Sequence, residues 1–238
     1  MVNGGYPSSD WNGSIAPVIR YTKRGVVWYQ GEHNAGDGAK YTETLTVLLQ
    51  SWRDACGDVT MPILLVQLPG HEAKGWASIR QSQLLAHRKT PHTGFVVTID
   101  LGEKDNIHPA DKRPVGERLA LEARRLIYGE KVSGCGPLYQ KLTSEGNKAI
   151  IHFTNTGSGL KSAEEEDLKG FMIADSKRIF LPAQAEIVGD TVVVHSQEMT
   201  HPEAVRYLWE SFPPTVSLFN KEGLPASPFR TDDRNDKQ

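Results

Sequence analysis

The stretch PILLVQLPG, residues 62–70, decides the fold class. Ile63 to Leu68 are apolar except for Gln67, with no polar alternation between them. A strand of this kind is covered on both faces, as in a parallel sheet, whereas a strand with one wet face would alternate. Working outward, residues 25–29 and 95–101 are two further short apolar runs. Helical patterns lie between and after them. Tyr41, Leu45, Leu48 and Trp52 fall at helical spacing and stop at Gly57. Trp76, Ile79, Gln83 or Leu84, and His87 do the same before Pro91, and Pro114 opens a third pattern that runs to Gly129. Strands alternating with helices predict an α/β layer around a parallel sheet.

At about residues 132–137 the character changes. KAIIHFTN (148–155), KGFMIAD (169–175), RIFLPAQAEIVGDTVVVHS (178–196) and AVRYLW (204–209) read as short strands, and Gly189-Asp190 reads as a tight hairpin turn. GSGL at 157–160 is a turn, SAEEEDLK at 162–169 a solvated loop, and the tail from about Asp232 is disordered. The expected division is residues 1–131, α/β, and residues 132–238, a small antiparallel β domain.

Composition narrows the function classes. A net charge of −2 and no basic stripe argue against nucleic acid as a partner. No apolar run approaches the ~18 residues of a membrane span. Cys56 and Cys135 stand in no redox or metal spacing, the eight histidines form no H-E-x-x-H, and no phosphate-binding glycine loop occurs. No metal and no cofactor is expected.

Parallel sheets bind ligands outside the carboxyl ends of their strands. The first strand ends in Gln30, Glu32, His33 and Asn34, the second in Gln67, His71 and Glu72, the third in Asp100, Asp105 and His108. In DNIHP (105–109) the Asp lies three residues before the His. A carboxylate there can fix an imidazole tautomer, leaving the other nitrogen to take a proton. A loop Asp capping its own backbone beside an unrelated His gives the same pattern, and Asp100 is a rival carboxylate. Gln30 and Asn34 can donate to an oxyanion or simply hold their loop. Glu32 orders the loop, and Trp28 and Tyr29 are core.

These residues resemble a family. WNGSIAPVI (11–19), GVVWYQGEHNA (25–35), PILLVQLPG and DNIHPADKRPVGERLA (105–120) are similar to the sialate O-acetylesterase-like branch of the SGNH hydrolases. GPLY (136–139), LKGF (168–171), AVRY (204–207) and NKEGLPASPFRTDD (220–233) are similar to the β-rich region that follows it. The resemblance implies an SGNH-like, flavodoxin-like sheet that is incomplete here. It implies a serine esterase removing acetyl groups from sugars, sialic acid among them, without a metal. It makes His108 the general base, Asp105 its orienting carboxylate, Gln30 an oxyanion donor, Asn34 a weaker one and Glu32 a loop organiser. The family's nucleophile sits in a G-x-S-N block upstream of WYQGE, and this sequence has no such block. Ser8, Ser9 and Ser14 lack its context, so no nucleophile is assigned in this chain, and little or no turnover is expected from the chain alone.

A truncated parallel sheet would expose an edge and associate through it. The resemblance implies a periplasmic or secreted parent protein; nothing in these residues does. Two alternatives stand beside the acetylesterase: a non-catalytic carbohydrate-binding or accessory protein, and an esterase for acetylated polysaccharide such as xylan.

Overall fold

The computed structural model describes residues 8–163 and 167–232. A π-helical turn (Trp11–Ile15) and a 3-10 turn (Ala16–Val18) precede β1 (Val26–Trp28). A 3-10 segment (Glu32–Asp37) leads into α1 (Gly38–Cys56), and then come β2 (Ile63–Val66), α2 (Trp76–Lys89), β3 (Thr93–Val96) and α3 (Arg113–Leu126). The three strands pair in parallel in the order β1-β2-β3, with Val26 opposite Ile63 and Ile63 opposite Thr93.

The unbroken apolar run of β2 has a direct cause. Ile63 and Leu65 pack into one cluster with Leu45 and Leu49 of α1 and Ile79 and Leu84 of α2. Val66 packs with Val96 and with Val115 of α3 in a second cluster. Both faces are dry, so neither can be polar.

The third strand is shorter than expected. Residues 97–98 leave the ladder and Ile99–Leu101 coils into a 3-10 turn. The Thr98 hydroxyl donates to the Gln67 carbonyl (2.5 Å), and the Leu101 N–H donates to the Thr98 carbonyl (3.0 Å). A side chain thus takes the acceptor at the end of β2 that continued pairing would need.

In the second half the elements named among the described residues are strands: β4 (Leu138–Glu145), β5 (Lys148–Thr154), β6 (Leu160–Ser162), β7 (Phe171–Ala174), β8 (Leu181–Pro182), β9 (Gln184–Val188), β10 (Thr191–His195), β11 (Ala204–Tyr207), β12 (Leu218–Asn220) and β13 (Phe229–Arg230). They form antiparallel sheets ordered β4-β5-β10-β9, β13-β11-β7-β8 and β12-β6. Gly189-Asp190 makes the expected two-residue turn between β9 and β10, with Gly189 at φ 62°. Ile151, Phe153, Val192 and Val194 of one four-stranded sheet share a core with Phe171, Ile173, Val205, Tyr207 and Phe229 of the other. The Phe153 and Phe229 rings meet edge to face across it at 5.9 Å.

That core is continuous with the α/β half. Polar ties cross as well: the buried Gln67 amide donates to the Ser227 hydroxyl (2.9 Å) and to the Arg80 carbonyl (3.2 Å). Gln67 is therefore a structural tie and not a strand-end site residue. The tail expectation is corrected at its first residue. Asp232 is buried and bonded by Arg206 through both carboxylate oxygens (3.0 and 2.8 Å). The rest of the tail, and Glu164 to Glu166 of the charge run, lie outside the described residues.

The two edges of the parallel sheet differ. At β3 the outward Phe95 N–H donates to the buried Glu122 carboxylate of α3 (3.2 Å). At β1, among the described strands, only β2 pairs. Val27 is 54% exposed, and it borders an apolar groove of about 340 Å³ lined by Val26, Leu64, Leu119, Ala123 and Ile127.

Candidate active site

Three loops leave the carboxyl ends of β1, β2 and β3, and three sets of contacts bind them together. Gln83 of α2 bridges the first two: its Nε2 donates to the Gln30 carbonyl (3.0 Å) and its Oε1 accepts from the Leu68 N–H (2.9 Å). The second and third meet backbone to backbone at Gly70 and Gly102. A Cβ on Gly102 would lie 2.1 Å from the Gly70 carbonyl oxygen, so only glycine permits this approach. The Glu72 N–H donates to the Lys104 carbonyl just beyond it (3.0 Å).

Gln30 is held from two sides. The Tyr41 hydroxyl lies 2.9 Å from the Gln30 backbone carbonyl and 3.0 Å from its Oε1, two acceptors sharing one proton. On the other side, Gln30 Nε2 donates to Asn34 Oδ1 (2.9 Å). An amide nitrogen has two protons; the second is left to donate elsewhere. Asn34 thus positions Gln30, and Glu32 orders the turn by accepting from the Gly31 N–H at 2.8 Å. Tyr29 sits half-buried beside them. Burial, with Glu32 adding to it, pushes its hydroxyl pKa up to about 12, and the Lys112 ammonium lies 5.9 Å from its ring centre.

In the third loop, Glu103 is the organiser. It accepts from the Ala110 N–H (2.8 Å) and from the Asn106 amide (2.9 Å), and the Asn106 Oδ1 accepts from the His108 N–H (3.0 Å). The Ala110 N–H, then the Asn106 amide, hold the Glu103 carboxyl below the usual carboxylate range. Asp105 and His108 are both exposed, and no hydrogen bond joins them. Asp100, the rival carboxylate, is spent on a bidentate pair with Arg118, both contacts 2.6 Å. Its role is to pin the turn after β3 to α3. His33 is exposed on its turn. His71 is 9% exposed, its Nδ1 accepts from the Ala73 N–H (3.1 Å), and its ring packs on Trp76 at 4.8 Å. The accepting Nδ1 puts the proton of the neutral ring on Nε2.

The β-rich half supplies one wall. Arg80 of α2 is fully buried, and burial pushes its pKa down to about 9. It donates to the carbonyls of Pro69 (3.3 Å), Ser211 (3.0 Å) and Glu210. The His71 N–H also donates to the Ser211 carbonyl (3.0 Å). The loop after β11 is thereby fixed against the loop after β2.

Tyr41, Arg80 and Gln83 were not singled out as functional in the sequence. Tyr41 and Gln83 fall on the apolar stripes of their helices, and helical spacing reads such positions as core. The usable signal was polarity: Arg80 and Gln83, three residues apart and so on one side of the helix, are polar on a helix that packs against strand ends. Among the described residues no group of three or more His, Cys, Asp or Glu could hold a metal ion.

Ser14 is exposed on the π-helical turn before β1. Its neighbour Trp11 meets Trp52 edge to face at 5.8 Å. The adjacent Arg53 bonds the carbonyls of Met61, Pro91 and His92, at the amino ends of β2 and β3.

Residues 14–125 match the family described as carbohydrate esterase, sialic acid-specific acetylesterase. The sialate O-acetylesterase of Homo sapiens is 32% identical over 251 aligned positions, covering 92% of this chain and 48% of that protein. The Mus musculus sialate O-acetylesterase is 31% identical, covering 92% and 46%. The crystal structure of a carbohydrate acetylesterase from Xanthomonas citri superposes with a TM-score of 0.89 at 40% identity, covering 94% of this chain and 54% of that one. The chain spans about half the length of the curated relatives it matches.

Proposed function

We propose that this chain, which matches the sialic acid-specific acetylesterase family over residues 14–125, carries the base and oxyanion side of a serine esterase for acetylated sugars. The observation that carries this reading is Gln30. Its carbonyl and Oε1 are engaged by Tyr41, one Nε2 proton by Asn34, and the second Nε2 proton is held ready at the end of β1. A donor fixed in advance of the reaction is what an oxyanion hole requires.

In the proposed sequence His108 takes the proton of a serine hydroxyl, and the oxygen attacks the acetyl carbonyl. The Gln30 amide donates to the oxyanion that forms. The sugar oxygen leaves with the proton from His108, and water activated by the same imidazole hydrolyses the acetyl-enzyme. Asp105 orients His108 once substrate closes the loop; catalytic hydrogen bonds are often unmade before substrate binds. The serine comes from a strand that pairs in parallel along the edge of β1 that no described strand covers, with its carboxyl end beside Gln30.

Acetate release from 9-O-acetyl-N-acetylneuraminic acid by the whole protein tests this. Gln30→Ala is expected to lower kcat about a hundredfold and His108→Ala to abolish turnover. Wild-type rates in either variant would end the assignment. One observation favours a second reading, a glycan-binding protein without turnover: Asp105 and His108 are exposed and unjoined. Sugar binding with no acetate release from the whole protein would favour it.

A further inference from the structure

We propose that the cleft between the 3-10 segment and α2, closed on one side by Trp209 and Arg230, is a glycan subsite. It takes a hydroxyl-rich pyranose ring beyond the acetylated residue. The choice of a glycan rests on the acetylesterase reading above; the cleft itself does not depend on His108 or on a nucleophile.

The cleft encloses about 570 Å³. Small-ligand sites run from roughly 300 to 1,000 Å³. Its lining is mixed in the way a sugar requires. Ser78, Gln81 and Asp37 bring a hydroxyl, an amide and a carboxylate ion-paired with Lys40 at 3.2 Å, and Arg230 brings a guanidinium. Trp209 adds aromatic surface, with the Arg230 guanidinium 4.9 Å from its ring centre. Indole rings serve at recognition sites because one end is apolar and the other polar, and a pyranose has the same two characters.

Gln81 gives the cleft an energetic reason to be filled. Its Oε1 is buried without a hydrogen-bond partner. An amide oxygen left so is costly. When the amide turns into the cleft, a sugar hydroxyl supplies the missing donor.

Position connects the cleft to the chemistry. The 3-10 segment begins at Glu32, beside Gln30, and ends at Asp37 in the cleft. Its six residues span about 12 Å at ~2 Å each, the reach of a short oligosaccharide. A glycan lying along this turn has its acetylated residue at Gln30 and a neighbouring ring in the cleft.

The test is saturation-transfer NMR with two probes, 3′-sialyllactose and xylotriose, on wild type and on Gly36→Phe. A Cβ at Gly36, which lines the cleft, meets no atom within 4 Å, so a side chain there starts in open space at the cleft's rim, and unchanged urea unfolding of the variant checks that the fold is kept. The neutral-ring protons of at least one probe should be saturated by wild type, with the effect falling about tenfold in the variant. Trp209→Phe, which keeps an aromatic ring, should show an intermediate loss. No saturation from either probe, or saturation that survives Gly36→Phe, overturns the subsite. The two readings fail separately. A whole protein that releases acetate but fails this test loses only the subsite. One that passes it without releasing acetate loses only the esterase.

Discussion

His87 makes the fold acid-sensitive by an amount the structure sets. Its ring stacks on Phe95 at 5.0 Å, and its Nδ1 lies 2.9 Å from the Thr93 hydroxyl oxygen. That hydroxyl also lies 2.7 Å from the Thr90 carbonyl, to which it donates, so the imidazole proton sits on Nδ1. Burial, then the positive charges of Arg88 and Arg125, push the His87 pKa from 6.5 down to about 4. The folded state therefore holds the ring neutral where the unfolded chain would protonate it. The stabilisation is complete above pH 6.5 and is lost as pH falls from 6.5 through 4. At about pH 4.5 linkage gives a loss of about 2 kcal/mol or somewhat more relative to about pH 7.5. The assay is urea unfolding at both values for wild type and His87→Met. The variant gives up one hydrogen bond, about 1 kcal/mol, equally at both. Its drop between the two should be smaller than the wild-type drop by about 2 kcal/mol. Equal drops would show that His87 titrates normally and refute the reasoning.

Tyr41→Phe removes the hydroxyl that holds Gln30; kcat of the whole protein should fall about tenfold with KM little changed, as steady-state kinetics will show. A change in KM alone would mean that Tyr41 serves binding. Asp232→Ala removes two charge-assisted hydrogen bonds from Arg206 in a largely buried place and should cost about 3 kcal/mol in urea unfolding. Val27→Lys should change the stability of this chain alone by about 0.5 kcal/mol or less. In the whole protein, where a paired strand would cover that edge, it should cost about 2 kcal/mol or more. Equal thermal shifts in both would argue that nothing covers β1.

Much of this architecture was legible because burial on two faces leaves a plain mark. Ile63 to Val66 could be read as a doubly covered strand before any contact was known, and the Gly57 and Gly189 stops mark backbone shapes that few other residues take. The end of β3 was not legible, since Thr98 breaks the ladder by bonding a carbonyl some thirty positions earlier in the chain. Short strands such as Leu218–Asn220 and Phe229–Arg230 carry too few residues to show a period. In the site, Gln30 and Glu32 stood out because polar residues follow a strand abruptly. Gln67 and Asp100 looked the same in sequence, yet one is tied to Ser227 and the other to Arg118. Only distance separates a polar group spent on the fold from one left for a ligand.

The central claim, that the base and oxyanion donor lie in this chain and the nucleophile on a strand beside β1, has a direct test. The whole protein would be labelled with a fluorophosphonate and the modified peptide identified by mass spectrometry, with His108→Ala in parallel. The account predicts one labelled serine outside these 238 residues and labelling suppressed by His108→Ala. A label on a serine within this sequence, or labelling indifferent to His108, would contradict it.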